Sequence, residues 1–319
     1  MLAYVVGLQH RKLLISIGIF LWIFNLTGCA PQTGSTGVPS LSAELIQLLE
    51  NEVGGVLSLA WSPDGKQLVV GSTNPPVRIW SADSGEITNE LHGPEGTVNQ
   101  ITWPPNGTYI AAASVGPTTT LWLWEAMNTE HLLNNVPLPD NATRVGWSPD
   151  GASLAVVVGG QEINLKEFDK QPQESSLTIY DAENWQSHAN SRFDASISSV
   201  AWSPEGKRLA IGLAEESAGH EVLICDMDGS LSILARLKEE AYVTDIDWAP
   251  DGEQLAVGLF DGTVDFWNVS SGQHSKGLSH GGQVLSLAWS LGGEYLATGG
   301  DDNTAKLWYV PTGTELTSL

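Results

Sequence analysis

Six times the chain places a tryptophan directly before a tight turn. The copies are Trp61–Gly65 (WSPDG), Trp103–Gly107 (WPPNG), Trp147–Gly151 (WSPDG), Trp202–Gly206 (WSPEG), Trp248–Gly252 (WAPDG) and Trp289–Gly293 (WSLGG). Three residues past each glycine stands an aliphatic side chain: Leu68, Ile110, Leu154, Leu209, Leu255 and Leu296. Successive tryptophans are 42, 44, 55, 46 and 41 residues apart. A unit recurring every 40–45 residues or so leaves few folds open. Each copy must be one supersecondary unit that stacks on its neighbours.

Within a unit the apolar period is two, so the elements are strands. In the first repeat VLSLAW alternates into Trp61. Pro63 and Gly65 then supply turn chemistry, and QLVVGS, VRIWS and EITNEL follow as three more strands. A four-stranded meander with two apolar faces is not stable alone, but radial stacking buries both faces. The expected fold is all-β: a β-propeller of four-stranded blades, six in number, with seven as the alternative. The count is open because Ala43–Glu50 and Thr314–Leu319 both read as outer strands, and a six-blade ring needs only one of them. The six tryptophans Trp61, Trp103, Trp147, Trp202, Trp248 and Trp289 share one phase, so they are read as wedges between blades rather than as a stacking surface for ligands.

The third strand usually ends in an aromatic residue: Trp80, Trp124, Tyr180, Trp267 and Trp308, with Cys225 in the fourth repeat. This pattern resembles the WD40-repeat family from about Leu45 to the end of the chain. The resemblance implies a buried structural tetrad in the sixth repeat, made of His280, Thr298, Asp302 and Trp308. Other repeats keep parts of it: Asp261 with Trp267, Asn74 with Trp80, and His92 ahead of the second blade. The WSPDGK phrase is also similar to TolB-like propellers of bacterial envelopes, which share the architecture.

The first 28 residues are of another kind. His10-Arg11-Lys12 precedes a 14-residue apolar run, Leu13–Leu26. A basic flank and a short apolar run read as a secretory signal rather than a spanning helix, which needs roughly 20 residues. The run ends in Leu26-Thr27-Gly28-Cys29, which resembles the bacterial lipobox and implies lipidation at Cys29. The expected division is residues 1–28 signal peptide, 29–42 flexible tether rich in Gly, Ser, Thr and Pro, and 43–319 propeller. The expected location is the cell envelope, lipid-anchored to the outer face of the cytoplasmic membrane or to the outer membrane. Net charge is −23, and losing Arg11 and Lys12 makes it 12 − 37 = −25. Such a body repels nucleic acid, so no nucleic-acid partner is expected. Cys225, without a partner cysteine, is read as an inert core thiol.

Motifs with chemical meaning are few. Gly277–Gly281 fits G-x-S-x-G but lacks the strand-to-helix context of a nucleophile elbow. Asp226–Gly229 hints at a calcium loop without the other acids. The histidines show no zinc spacing. No enzyme activity, cofactor or metal is expected. The reading is a non-catalytic scaffold that binds protein partners, basic ones among them, through its rim loops. The candidate rim contacts are Glu52, Glu95, Asp140, Asp194, Glu239, Glu240 and Asp301, with the 161–175 insertion beside them. A TolB-like envelope component and an enzyme using the channel are the alternatives. Trp185, in the DAENWQ turn, is expected to be exposed.

Overall fold

The computed structural model describes residues 6–9, 12–17, 20–28, 41–49, 55–74, 76–115, 120–126, 128–137, 142–159, 174–214, 219–227 and 231–318. Each repeat folds into one four-stranded sheet with the strands in chain order. All pairings are antiparallel. The first strands are Val56–Trp61, Thr97–Thr102, Ala142–Trp147, Ser196–Trp202, Val243–Trp248 and Val284–Trp289. From the first repeat to the sixth each touches the next, so they line one continuous inner wall. Six blades of a propeller result, as the period of the repeats requires.

A further four-stranded sheet is built from Val6–Gln9, Lys12–Ile17, Phe20–Gly28 and Leu41–Leu49. Its first strand touches the inner strands of the first and sixth repeats, and its fourth touches Thr314–Ser318. The two terminal segments that read as outer strands both hold that position, each in its own sheet. They do not compete. Cys29, Glu52, Asp140 and most of the 161–175 insertion lie outside the described residues, as does Asp228.

Burial follows position in the blade. The second strands are almost wholly buried, as in Gln67–Ser72 and Tyr295–Gly300, because both of their faces meet neighbouring blades. The outer strand Ile87–Leu91 buries only its last residue. Close approach sets the residue type. A Cβ on Gly71, Gly212 or Gly258 would stand 2.7–2.8 Å from a methyl of Val98, Val243 or Val284 in the next blade. Glycine at these places lets the blades close up.

Side-chain and backbone bonds close the recurring turn. The amide of Gly65 donates to Ser62 O at 2.9 Å, closing the turn. The Ser62 hydroxyl donates to Asp64 at 2.6 Å and accepts the Gln67 amide at 2.9 Å. Ser148 repeats both contacts with Asp150 and Ser153. All six turn glycines have φ between 69° and 72°, where a Cβ is costly. In the fifth repeat Ala249 has no hydroxyl, and Asp251 takes the Glu253 and Gln254 amides instead.

Candidate functional site

Each inner strand is the edge of its sheet, so the backbone groups that face the channel lack a ladder partner. Side chains three residues before the wedge tryptophans supply one. Ser58 accepts the Ile101 amide at 3.0 Å, Gln100 accepts the Val145 amide at 3.0 Å, and Arg144 donates to Ser198 O at 2.7 Å. Asp245 accepts the Ser199 hydroxyl at 2.8 Å and the Leu287 amide at 2.9 Å. Asp247, directly before its tryptophan, accepts the Trp289 amide at 2.9 Å. Tryptophans stitch the other way: the indole of Trp202 donates to Gly146 O at 3.0 Å, and that of Trp248 to Ala201 O at 3.1 Å.

The inner strands of the second to sixth repeats line a cavity of about 640 Å³, with Trp147, Trp202, Trp248 and Trp289 at its wall. Pro105, Pro149, Pro204, Pro250 and Leu291 from the turns collar its mouth. Leu291 stands where the other turns carry proline and is 63% exposed. Burial raises the pKa of both carboxyls, that of Asp247 to about 7 with Asp245 adding like charge. Their hydrogen bonds to backbone amides make them staples between blades.

At the opposite end lie the starts of the inner strands and the turns between second and third strands. Antiparallel topology brings these together as one rim. There the sixth blade places its four implied residues in a chain. The Trp308 indole donates to Thr298 Oγ1 at 2.9 Å, and Thr298 Oγ1 meets His280 Nδ1 at 2.7 Å. His280 Nε2 stands 3.3 Å from Asp302 Oδ1. His280 and Thr298 are fully buried. Burial lowers the His280 pKa, against the pull of Asp302. Burial opposes the charge on Asp302, but its bonds from Thr304 and His280 prevail and lower its pKa.

Family comparison agrees with this chain of bonds. The family model described as WD domain, G-beta repeat matches residues 272–309. The model described as Anaphase-promoting complex subunit 4 WD40 domain matches residues 38–106 and 220–281. The chain is a WD40-repeat β-propeller.

Elsewhere in the WD40 ring the third-strand tryptophan finds other partners. Trp124 donates to the backbone carbonyl of His92 at 3.2 Å, while the His92 ring is exposed. Ala112 stands where the sixth blade has Thr298, so no hydroxyl is offered there. Two residues on, Ser114 accepts the indole of Trp122 at 2.7 Å. In the fifth blade Val257 takes the Thr298 place, and Trp267 donates to Glu239 at 2.6 Å.

The rim corrects several expectations. Glu239 is not a surface contact: it is 8% exposed, and burial raises its pKa to about 7. Its strand Ser232–Glu239 buries Leu237 and Glu239 on one face, and that period of two was visible in the sequence. Glu240 is exposed and pairs with Lys276 at 2.6 Å. Asp301 is exposed but accepts the Gln283 amide at 2.7 Å, so it also pins a loop. Glu95 and Asp194 are exposed. Trp185 is half-buried rather than exposed. Its ring packs edge-on against Tyr109 at 5.5 Å and Trp147 at 6.0 Å. Ser279 and its glycines sit at the end of an outer strand, not on an elbow. Cys225 is buried, and burial raises its thiol to about 11, so it is unreactive.

Sequence reasoning passed over Asp245, Asp247, Asp265 and His274. A cue existed for the first. The position three before each wedge tryptophan is polar in all six repeats: Ser58, Gln100, Arg144, Ser199, Asp245 and Ser286.

Proposed function

We propose that this WD40 propeller is a non-catalytic scaffold that binds basic protein partners through its acidic rim. One observation carries the reading. Glu95, Asp194, Glu240, Asp261 and Asp301 are exposed on loops of separate blades that the topology gathers at one end. With a net charge of −23 behind them, attraction to a basic partner speeds encounter and weakens with salt. Cross-linking on membranes captures the partner, and its association rate is then measured at low and high ionic strength. Charge reversal at Glu95, Asp194 and Glu240 should slow association and leave Tm nearly unchanged. Binding that is indifferent to both salt and the reversals refutes the acidic rim.

We further propose that the chain is exported and anchored by a lipid on Cys29, on the strength of the lipobox and the short apolar run before it. Cleavage ahead of Cys29 removes the strands Val6–Gln9, Lys12–Ile17 and Phe20–Gly28. Lipidation and the additional sheet are therefore alternative fates of the same residues. Mass spectrometry of the protein from membranes separates them. A diacylglyceryl group on an N-terminal Cys29, lost in Cys29→Ala, supports export. An intact residue 1–28 segment refutes it.

A further inference from the structure

The junction between the fourth and fifth blades holds three ionisable side chains that no tetrad and no rim contact accounts for. Glu239 ends the outer strand of the fourth blade, while Asp265 and His274 lie on the third and fourth strands of the fifth. One ligand atom from each lies within 4.8 Å of the others. Glu239 is 8% exposed and Asp265 2%. The His274 side chain is 32% exposed and opens the cluster to solvent on one side.

Part of the bonding is complete. Glu239 Oε1 accepts the Trp267 indole at 2.6 Å, and Asp265 Oδ2 meets His274 Nε2 at 2.7 Å. The other oxygen of each acid, Glu239 Oε2 and Asp265 Oδ1, is buried with no hydrogen-bond partner among the described residues. A buried carboxylate oxygen without a donor is costly, and here two adjoin. Lys276, the nearest cation on the same outer strand as His274, is engaged by Glu240. Among the described residues the charge facing Glu239 is otherwise acidic, from Asp265 and Asp261, with His274 opposing it.

We propose that Glu239, Asp265 and His274 form a binding site for a divalent cation of the zinc class. Two carboxylates and one imidazole are borderline ligands that suit zinc and its transition-metal neighbours. Calcium takes six to eight oxygens, roughly twice what this cluster offers. Ligand atoms on a tetrahedral ion with bonds near 2.1 Å stand about 3.4 Å apart, so modest side-chain rotations close the set. Water fills the fourth position from the His274 side. On binding, the ion takes the His274 Nε2 lone pair. The proton that bridged it to Asp265 passes to Nδ1 or to solvent, and any proton held by Glu239 is released to solvent. The ion would clasp two neighbouring blades where the fifth lacks the threonine of a tetrad.

The test uses untagged full-length protein and Co²⁺ as a spectroscopic stand-in for Zn²⁺. The wild type should bind one equivalent, with visible d–d absorption, and Zn²⁺ should displace the Co²⁺ and raise Tm. His274→Ala, at a partly exposed position, should lose the absorption and the Tm shift while keeping its circular dichroism spectrum. Glu239→Gln, which keeps an acceptor for Trp267, should weaken binding by about tenfold or more, the scale seen when a metal site loses a supporting group. His188→Ala, on the outer strand of the third blade, should change nothing. Binding by the wild type that is no greater than by His274→Ala overturns the site. Stabilisation by Ca²⁺ with none by Zn²⁺ overturns the ion class.

Discussion

Glu239 allows a quantitative test of what burial does to a carboxylate in this ring. Its ordinary pKa of 4.5 is raised to about 7, first by burial and then by the charge of Asp265, against the hydrogen bond from Trp267. The unfolded carboxyl gives up its proton near 4.5, the folded one near 7. Between those values the folded chain binds more protons, so this group's contribution to stability falls as pH rises through the window. The separation of roughly 2.5 pH units, at about 1.36 kcal/mol each, makes the full loss about 3 kcal/mol.

Glu239→Gln removes the titration and keeps the acceptor oxygen for the Trp267 indole. Its amide can also donate to the unpartnered Asp265 oxygen. Urea denaturation of wild type and variant at pH 5 and pH 8, with chelator present, isolates the effect. Asp247 also titrates high and its contribution falls in the same direction, but it is common to both proteins and cancels. The variant should gain about 2.5 kcal/mol relative to wild type between pH 5 and pH 8. A stability difference that is equal at both pH values refutes a buried, proton-holding Glu239.

Three further outcomes follow from the geometry. Asp302→Ala strips partners from His280 and Thr304 and should cost about 1–3 kcal/mol, read as a lower Tm. Asp301→Ala loses the bond from the Gln283 amide and should cost roughly 0.5–1 kcal/mol, and no change in its Tm would show that the loop is not pinned there. Trp185 has φ 58°, where other blades carry Gly85, Gly272 and Gly313 at 68°, 68° and 64°; Trp185→Gly relieves roughly 1–2 kcal/mol of backbone strain but forfeits the larger contacts with Tyr109 and Trp147, so chemical denaturation should show net destabilisation.

Much of the fold was legible because it is periodic. The WSPDG phrase sets the hairpin through Ser62, Asp64 and Gly65, and its recurrence sets the number of repeat-derived blades. The tetrad was legible because the sixth repeat keeps all four of its residues at family spacing. What escaped notice depends on pairs far apart in the chain. Glu239 and His274 are 35 residues apart and lie in different blades. Nothing local to either announces the other. Asp265 sits between two apolar neighbours in TVDFW and reads as the polar phase of a strand, yet it is buried.

The fifth and sixth blades place the same indole before different acceptors. In the sixth, Thr298 accepts the Trp308 indole and passes the chain on to a buried histidine and an acid near the surface. Every member there has a partner. In the fifth, valine at the matching place removes the hydroxyl, and the acceptor must come from the neighbouring blade as a carboxylate. That carboxylate has more capacity than one indole can fill, and it faces a second buried acid. A fully satisfied network rigidifies a core, whereas a partly satisfied one stores a cost that a proton or a cation can relieve. The loss of one hydroxyl from the repeat thus turns a closed structural device into an open one at Glu239.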